Sequence, residues 1–242
     1  VSKPRKTNPR ARTKYAEDYS HSPPPPPPKP VLRARNAAQR EAITAFKTHP
    51  ILILLGSAGS GKTFIATQLA CNAVATGECD RVVITRPQQE LDGNKMGYLP
   101  GGADEKMHPW IMPFQDVLTT MVGPRDAPKE LAKFEVLPLP YIRGRTLSNC
   151  VAILDECQNC SLSELYAYAT RLGDEPRQGR MIWCGDPKQS DLPDGSDDLL
   201  DFADELEHAG VAKVISFTSA MIVRSKWIEK IEVAREALND ND

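Results

Sequence analysis

The chain has 242 residues, 40% of them hydrophobic and 26% charged, with a formal net charge of −2, which suits one well-buried domain. No apolar run approaches the roughly 20 residues that cross a bilayer, and the N-terminal stretch lacks the apolar core of a signal peptide, so neither a membrane span nor secretion is expected. Six cysteines are too sparse for a disulfide scaffold and point to a reducing compartment, with the cytoplasm as the expected location.

Residues 1–32 read as a disordered basic and proline-rich tail. Lys3, Arg5, Lys6, Arg10, Arg12, Lys14 and Lys29 outnumber Glu17 and Asp18, and large apolar side chains are too few to offset the entropy of ordering. The run Pro23 to Pro28 predicts a polyproline II spacer of roughly 19 Å, at ~3.1 Å per residue. The tail is either a solubilising arm or a sequence-independent phosphate binder. Residues 33–242 form a single domain in this reading. They are net acidic, so any polyanion must be held there by local patches.

Short apolar runs rich in β-branched residues alternate with helical stretches from Arg33 onward. Ile51–Leu55, Arg81–Thr85, Val151–Asp155, Met181–Cys184 and Lys213–Phe217 suit strands buried on both faces of a parallel sheet. Helices are expected over Asn36–Lys47, Lys62–Thr76, Ser161–Thr170, Asp197–His208 and Lys226–Asn239. This order predicts an α/β fold of the RecA-like P-loop type, a parallel sheet flanked by helices. Between Pro87 and Leu147 prolines and glycines abound and no periodicity stands out, so a long irregular insertion is expected.

Gly56, Ser57, Ala58, Gly59, Ser60, Gly61, Lys62 and Thr63 match G-x-x-x-x-G-K-[ST], between an apolar strand and a helix. Glycines allow a tight loop whose N–H groups turn inward around phosphates, and the helix N-terminus adds favourable partial charge. Lys62 is expected on the β- and γ-phosphates and the Thr63 hydroxyl on Mg²⁺. Asp155, at the end of another apolar strand, is the expected second magnesium anchor, acting through a metal-bound water. Glu156 follows it as the group that orients or deprotonates the attacking water. Gln189, in "GDPKQSDLP" after the strand Met181–Cys184, stands at the carboxyl edge of the sheet, where a glutamine can sense a γ-phosphate.

The marks "GSAGSGKT", "VVITRP", "MGYLPGGADEKMHPWIMPFQDVL", "YIRGRTL", "ILDECQN", "GDPKQSDLP" and "IVRS" make the chain resemble the PhoH family, relatives of the superfamily 1 helicase motor core. The resemblance implies an ATPase using ATP and Mg²⁺, with Gln39 reading the adenine. Some members of that family are joined to a PIN-type nuclease domain and act on RNA. The chain departs from the family where Ser225 stands in place of a usual histidine and where an acidic residue shortly before Arg224 is absent.

A P-loop ATPase needs a cation on the γ-phosphate, and such an arginine contributes roughly 10³–10⁵ in rate. With one copy of the fold in the chain, that group is expected from a neighbouring subunit of a homo-oligomeric, head-to-tail hexameric ring, with Arg224 as the candidate. Arg86, Lys106, Trp110, Arg143 and Arg145 are candidate contacts for single-stranded RNA or DNA, which basic side chains track and aromatics stack upon. The opposing expectation is that Arg143 and Arg145 sit in a turn and pair with carboxylates. A nucleotide-dependent assembly switch for a protein partner is the alternative function. A small-molecule kinase is disfavoured, because no arginine-rich lid is evident.

Cys157 and Cys160 form a Cys-x-x-Cys, which raises zinc or redox chemistry. The second closely spaced pair that a structural zinc site usually has is missing, so both read as packing. Cys150 and Cys184 read the same way, as small buried hydrophobes beside central strands.

Overall fold

The computed structural model describes residues 32–87, 103–174, 177–193 and 196–218, together with 227, 230 and 231, and within the first turn of one helix, residues 103–107, it describes backbone only. The tail 1–31, Arg224 and most of the helix expected over Lys226–Asn239 lie outside the described residues.

Six strands form one parallel sheet in the order β3-β2-β4-β5-β1-β6. They are β1 (Ile51–Gly56), β2 (Arg81–Thr85), β3 (Phe134–Val136), β4 (Cys150–Asp155), β5 (Arg180–Gly185) and β6 (Ala212–Phe217). The helices are α1 (Ala37–Thr48), α2 (Lys62–Thr76), α3 (Ala103–Val122), α4 (Ala127–Leu131), α5 (Leu162–Ala169) and α6 (Asp197–His208). Side chains alternate across the sheet, as a strand period of two requires. Leu52, Leu54, Val82, Ile84, Val151, Ile153 and Ile182 pack with α1, α2 and Phe114 of α3. Ile51, Ile53, Val83, Leu154, Met181 and Trp183 pack with α5 and α6 through Leu165, Tyr168, Leu199 and Ala203. Both faces are therefore covered, which is why the strands read as nearly continuous apolar runs.

The insertion differs from the expectation of irregular chain. It carries the 20-residue helix α3, the short α4 and the edge strand β3. Pro109 and Pro113 lie inside α3, where each removes a backbone donor and ordinarily breaks a helix. Both prolines are exposed, while Trp110, Phe114 and Leu118, four residues apart, are buried. Burial of the stripe, with Phe114 and Leu118 packed against α2 and β3, offsets the lost hydrogen bonds, a tertiary gain that local propensity cannot report. Among the described residues no helix is long and apolar enough to cross a membrane.

Candidate nucleotide site

All six strands run the same way, so the carboxyl ends of β1, β2, β4 and β5 share one edge. Register pairs Leu55 with Gly185, Thr85 with Leu154, and Asp155 with Cys184. Strand β5 separates the strand that leads into the glycine loop from the one that ends in Asp155.

The loop from Gly56 to Gly61 joins β1 to α2. Gly56, Gly59 and Gly61 have φ of 136°, 74° and 93°, conformations that side chains rarely adopt. A Cβ on Gly56 would also collide with the Phe217 carbonyl of β6. The buried Ser60 hydroxyl donates to the Ser57 carbonyl at 2.7 Å. The Lys62 ammonium donates back to the carbonyls of Gly56 and of Ser57, the latter at 2.9 Å. Lys62 is thus folded over its own loop, with its ammonium held by backbone carbonyls of that loop. Ala58 lies exposed at the loop's tip, and Thr63 follows Lys62 in the first turn of α2.

Beside this loop, α1 is capped by the Asn36 side chain, which accepts from the Gln39 N–H at 2.8 Å. The cap fixes Gln39 in the first helical turn, where it is fully buried. Its Oε1 accepts from the Arg35 N–H at 2.8 Å, and its Nε2 finds no partner among the described atoms. The Arg35 guanidinium in turn lies 4.6 Å over the Phe64 ring of α2. A buried orphan donor is costly in a native protein, and an adenine acceptor would satisfy it. The glycine loop and this donor fit ATP, and the Thr63 hydroxyl and Asp155 carboxylate fit the oxygen preference of Mg²⁺.

Asp155 is 7% exposed. Burial raises its carboxyl from the ordinary 3.8 to about 6, against Arg86, which lowers it; Glu156 raises it further and Lys62 lowers it. Glu156 follows with φ 58°, a strained conformation for a residue with a side chain. The turn throws its carboxylate sideways into a network. Its Oε1 accepts from Arg86 at 2.7 Å and its Oε2 from the Gln158 Nε2 at 2.8 Å. Gln158, 2% exposed, accepts the Asp186 N–H on its Oε1 at 3.1 Å. Asp186 accepts from the Gln189 Nε2 at 2.6 Å. Sequence reasoning passed over Gln158 and Asp186 as connecting groups. The signal available was a glutamine two residues beyond a Walker-type glutamate, too short to interpret without the fold.

Arg86, Glu156, Gln158, Asn159, Lys188, Gln189, Ser190 and Asp191 line a polar cavity of about 490 Å³ at this edge. Of the other basic and aromatic candidates, none is described as sharing it. Trp110 is 9% exposed and packed in the α3 stripe, so it offers no free face for a base. Lys106 lies on α3, with its side chain outside the described atoms. Arg145 pairs with Glu135 of β3 at 2.8 Å, and that carboxylate also meets Arg81 at 3.4 Å. Arg143 is exposed and lines a separate cavity of about 210 Å³ with Glu164. The turn is thus split, with one arginine paired on the edge strand and one open near α5. Cys157 and Cys160 are buried free thiols, and burial pushes both upward in pKa.

Comparison with known proteins matches residues 31–236 to the family described as PhoH-like protein. A PhoH-like protein of Synechocystis is 39% identical over 210 residues, covering 85% of this chain and 62% of that one. A PhoH-like protein of Bacillus subtilis is 34% identical, covering 86% and 65%. Protein PhoH of Escherichia coli is 35% identical, covering 83% and 57%. The chain therefore spans about 60% of the length of the curated relatives it matches. Among solved structures, the large terminase of bacteriophage HK97 is similar, with TM-score 0.47 and 15% identity, covering 76% of this chain and 39% of that chain.

Proposed function

Because the chain belongs to the PhoH-like family, we propose that it binds and hydrolyses ATP with Mg²⁺, and that hydrolysis depends on single-stranded RNA or DNA. The observation that carries the reading is the meeting, at one sheet edge, of the glycine loop and Lys62 with Asp155, Glu156 and Gln189. The orphaned Nε2 of Gln39 beside that loop supports adenine as the base.

In the proposed reaction the backbone N–H groups of Gly59 to Thr63 and the Lys62 ammonium hold the phosphates. The Thr63 hydroxyl and, through water, the Asp155 carboxylate would hold Mg²⁺, which would supply charge neutralisation for the phosphoryl group. Glu156 orients the attacking water and accepts its proton. Gln189 stands where a γ-phosphate contact would pull on Asp186 and, through Gln158, on Glu156. Arg224 of a neighbouring subunit in a head-to-tail hexameric ring is the proposed source of the remaining cation. Arg86 and the exposed Arg143 are the proposed contacts for the strand.

The test is phosphate release from ATP with and without a single-stranded 20-mer of RNA or DNA, alongside native mass with and without ATP. Expected are turnover that rises with the strand, and a ring that ATP stabilises. Glu156→Gln should bind ATP and barely hydrolyse it. Hydrolysis indifferent to every polynucleotide would favour the assembly switch, and undiminished turnover in Glu156→Gln would remove Glu156 from the mechanism.

A further inference from the structure

The ion pair between Arg86 and Glu156 is a contact that the proposed hydrolysis does not use and that opposes it. With Arg86 on Oε1 and Gln158 on Oε2, both oxygens of the carboxylate accept strong hydrogen bonds. A guanidinium cation on a carboxylate oxygen lowers its basicity, so Oε1 held by Arg86 is a poorer acceptor for the proton of a water molecule.

The two partners differ in how firmly they are anchored. Gln158 is buried and tied to the Asp186 backbone. Its place is further set by Gly185, since a Cβ there would stand 2.9 Å from the Gln158 Oε1. Arg86 follows the last residue of β2, and its side chain is 25% exposed at the cavity. The fixed partner orients the carboxylate, and the partly exposed one, at the cavity, is exchangeable. A guanidinium fork fits a phosphate as well as a carboxylate, so a strand phosphate can replace Glu156 without leaving Arg86 unpaired.

We propose that Arg86 is a positioning residue that changes partner. Without a strand it holds Glu156 and restrains hydrolysis; a phosphate of a bound single strand takes the guanidinium and frees Oε1 for the attacking water. Gln158 meanwhile keeps the carboxylate in place. The inference rests on the strand-dependent reading above and supplies the physical link from strand to reaction.

Linkage makes it testable by binding alone, because Glu156 and the strand compete for one group. Wild type, Arg86→Gln, Glu156→Gln and the double variant are titrated with a labelled 20-mer of uridine, without nucleotide, at several salt concentrations. Melting curves verify that all four are folded. Glu156→Gln is expected to bind about fivefold tighter, as for release of a half-exposed pair. Arg86→Gln is expected to bind more weakly, with a salt slope shallower by about one. On the Arg86→Gln background, Glu156→Gln is expected to add nothing. Strand-free hydrolysis by Arg86→Gln should exceed that of wild type, and its stimulation ratio should fall toward one.

An equal gain from Glu156→Gln on both backgrounds would reduce the effect to bulk charge and overturn the proposal. So would a drop in strand-free turnover in Arg86→Gln, or a gain confined to binding of an ATP analogue. Failure of all four proteins to bind the 20-mer would sink the strand-dependent reading as well. Normal binding and stimulation with additive effects would leave that reading standing and sink this inference alone.

Discussion

Gln158 and Asp186, 28 residues apart, are joined inside the protein by a hydrogen bond from the Asp186 N–H to the Gln158 Oε1, 3.1 Å long. The bond carries the turn after β4 onto the turn after β5, and two more contacts reinforce it. The Ser190 hydroxyl donates to the Gln158 carbonyl at 2.9 Å, and the Asp191 N–H to the Asn159 Oδ1 at 2.8 Å. The two loops that carry the water-orienting and phosphate-sensing candidates are thus tied to each other at three points.

Gly185→Ala tests that seam. The added Cβ would lie 2.7 Å from the Cys157 Sγ and 2.9 Å from the Gln158 Oε1, so both must shift in a packed interior. Denaturant unfolding should show a loss of about 1–3 kcal/mol, and hydrolysis should fall more than ATP affinity does. Unchanged stability and turnover would mean the seam is slack.

Asp155→Asn should stabilise the metal-free protein while abolishing Mg²⁺-dependent nucleotide binding. Held ionised at pH 7 with a folded pKa near 6 against an ordinary 3.8, the carboxylate costs of the order of 2–3 kcal/mol. Folding raises this pKa, so the folded state takes up the proton more readily and wild type gains stability as pH falls from about 6 toward 3.8. The advantage of Asn in melting temperature, measured in a chelator, should therefore be large at pH 7.5 and shrink by pH 5. An advantage independent of pH would contradict the assignment.

Gln39→Ala should raise KM for ATP about tenfold, the worth of one buried hydrogen bond. The preference over GTP should erode with it, while kcat changes little. Steady-state kinetics with both nucleotides decide the matter, and an unchanged ATP to GTP ratio would remove Gln39 from base recognition.

Trp110→Ala should cost about 3 kcal/mol by thermal or chemical unfolding, because it empties part of the α3 stripe. Strand affinity, measured well below the melting point, should stay close to wild type. A selective loss of strand binding with stability intact would instead restore Trp110 as a stacking residue.

Local patterns were enough for the parts of the protein whose physics is local. Four buried strands announced themselves as short apolar runs because both sheet faces are covered, the partly buried edge strand β6 was legible as well, and the helix Asp197–His208 was found with its bounds. The glycine loop was legible because its backbone conformation needs those glycines in that order, and Asp155–Glu156 because they end a buried strand. Strand β3 escaped notice because three half-buried residues at a sheet edge carry no pattern. Helix α3 escaped because Pro109 and Pro113 argue against it, and only packing of Trp110, Phe114 and Leu118 outweighs them.

That Arg145 would meet a carboxylate was open to the sequence as one of two expectations, but which carboxylate each arginine meets was not. Arg86 and Arg145 look alike as basic residues at predicted strand ends, yet one meets Glu156 and the other Glu135. Those pairings span 70 and 10 residues, and the order in which strands lie in the sheet selects them. What the sequence alone determined was the set of chemical groups and the backbone that presents them. What the tertiary structure decided was which group restrains which, because an ion pair forms by distance in space and the sheet topology sets that distance.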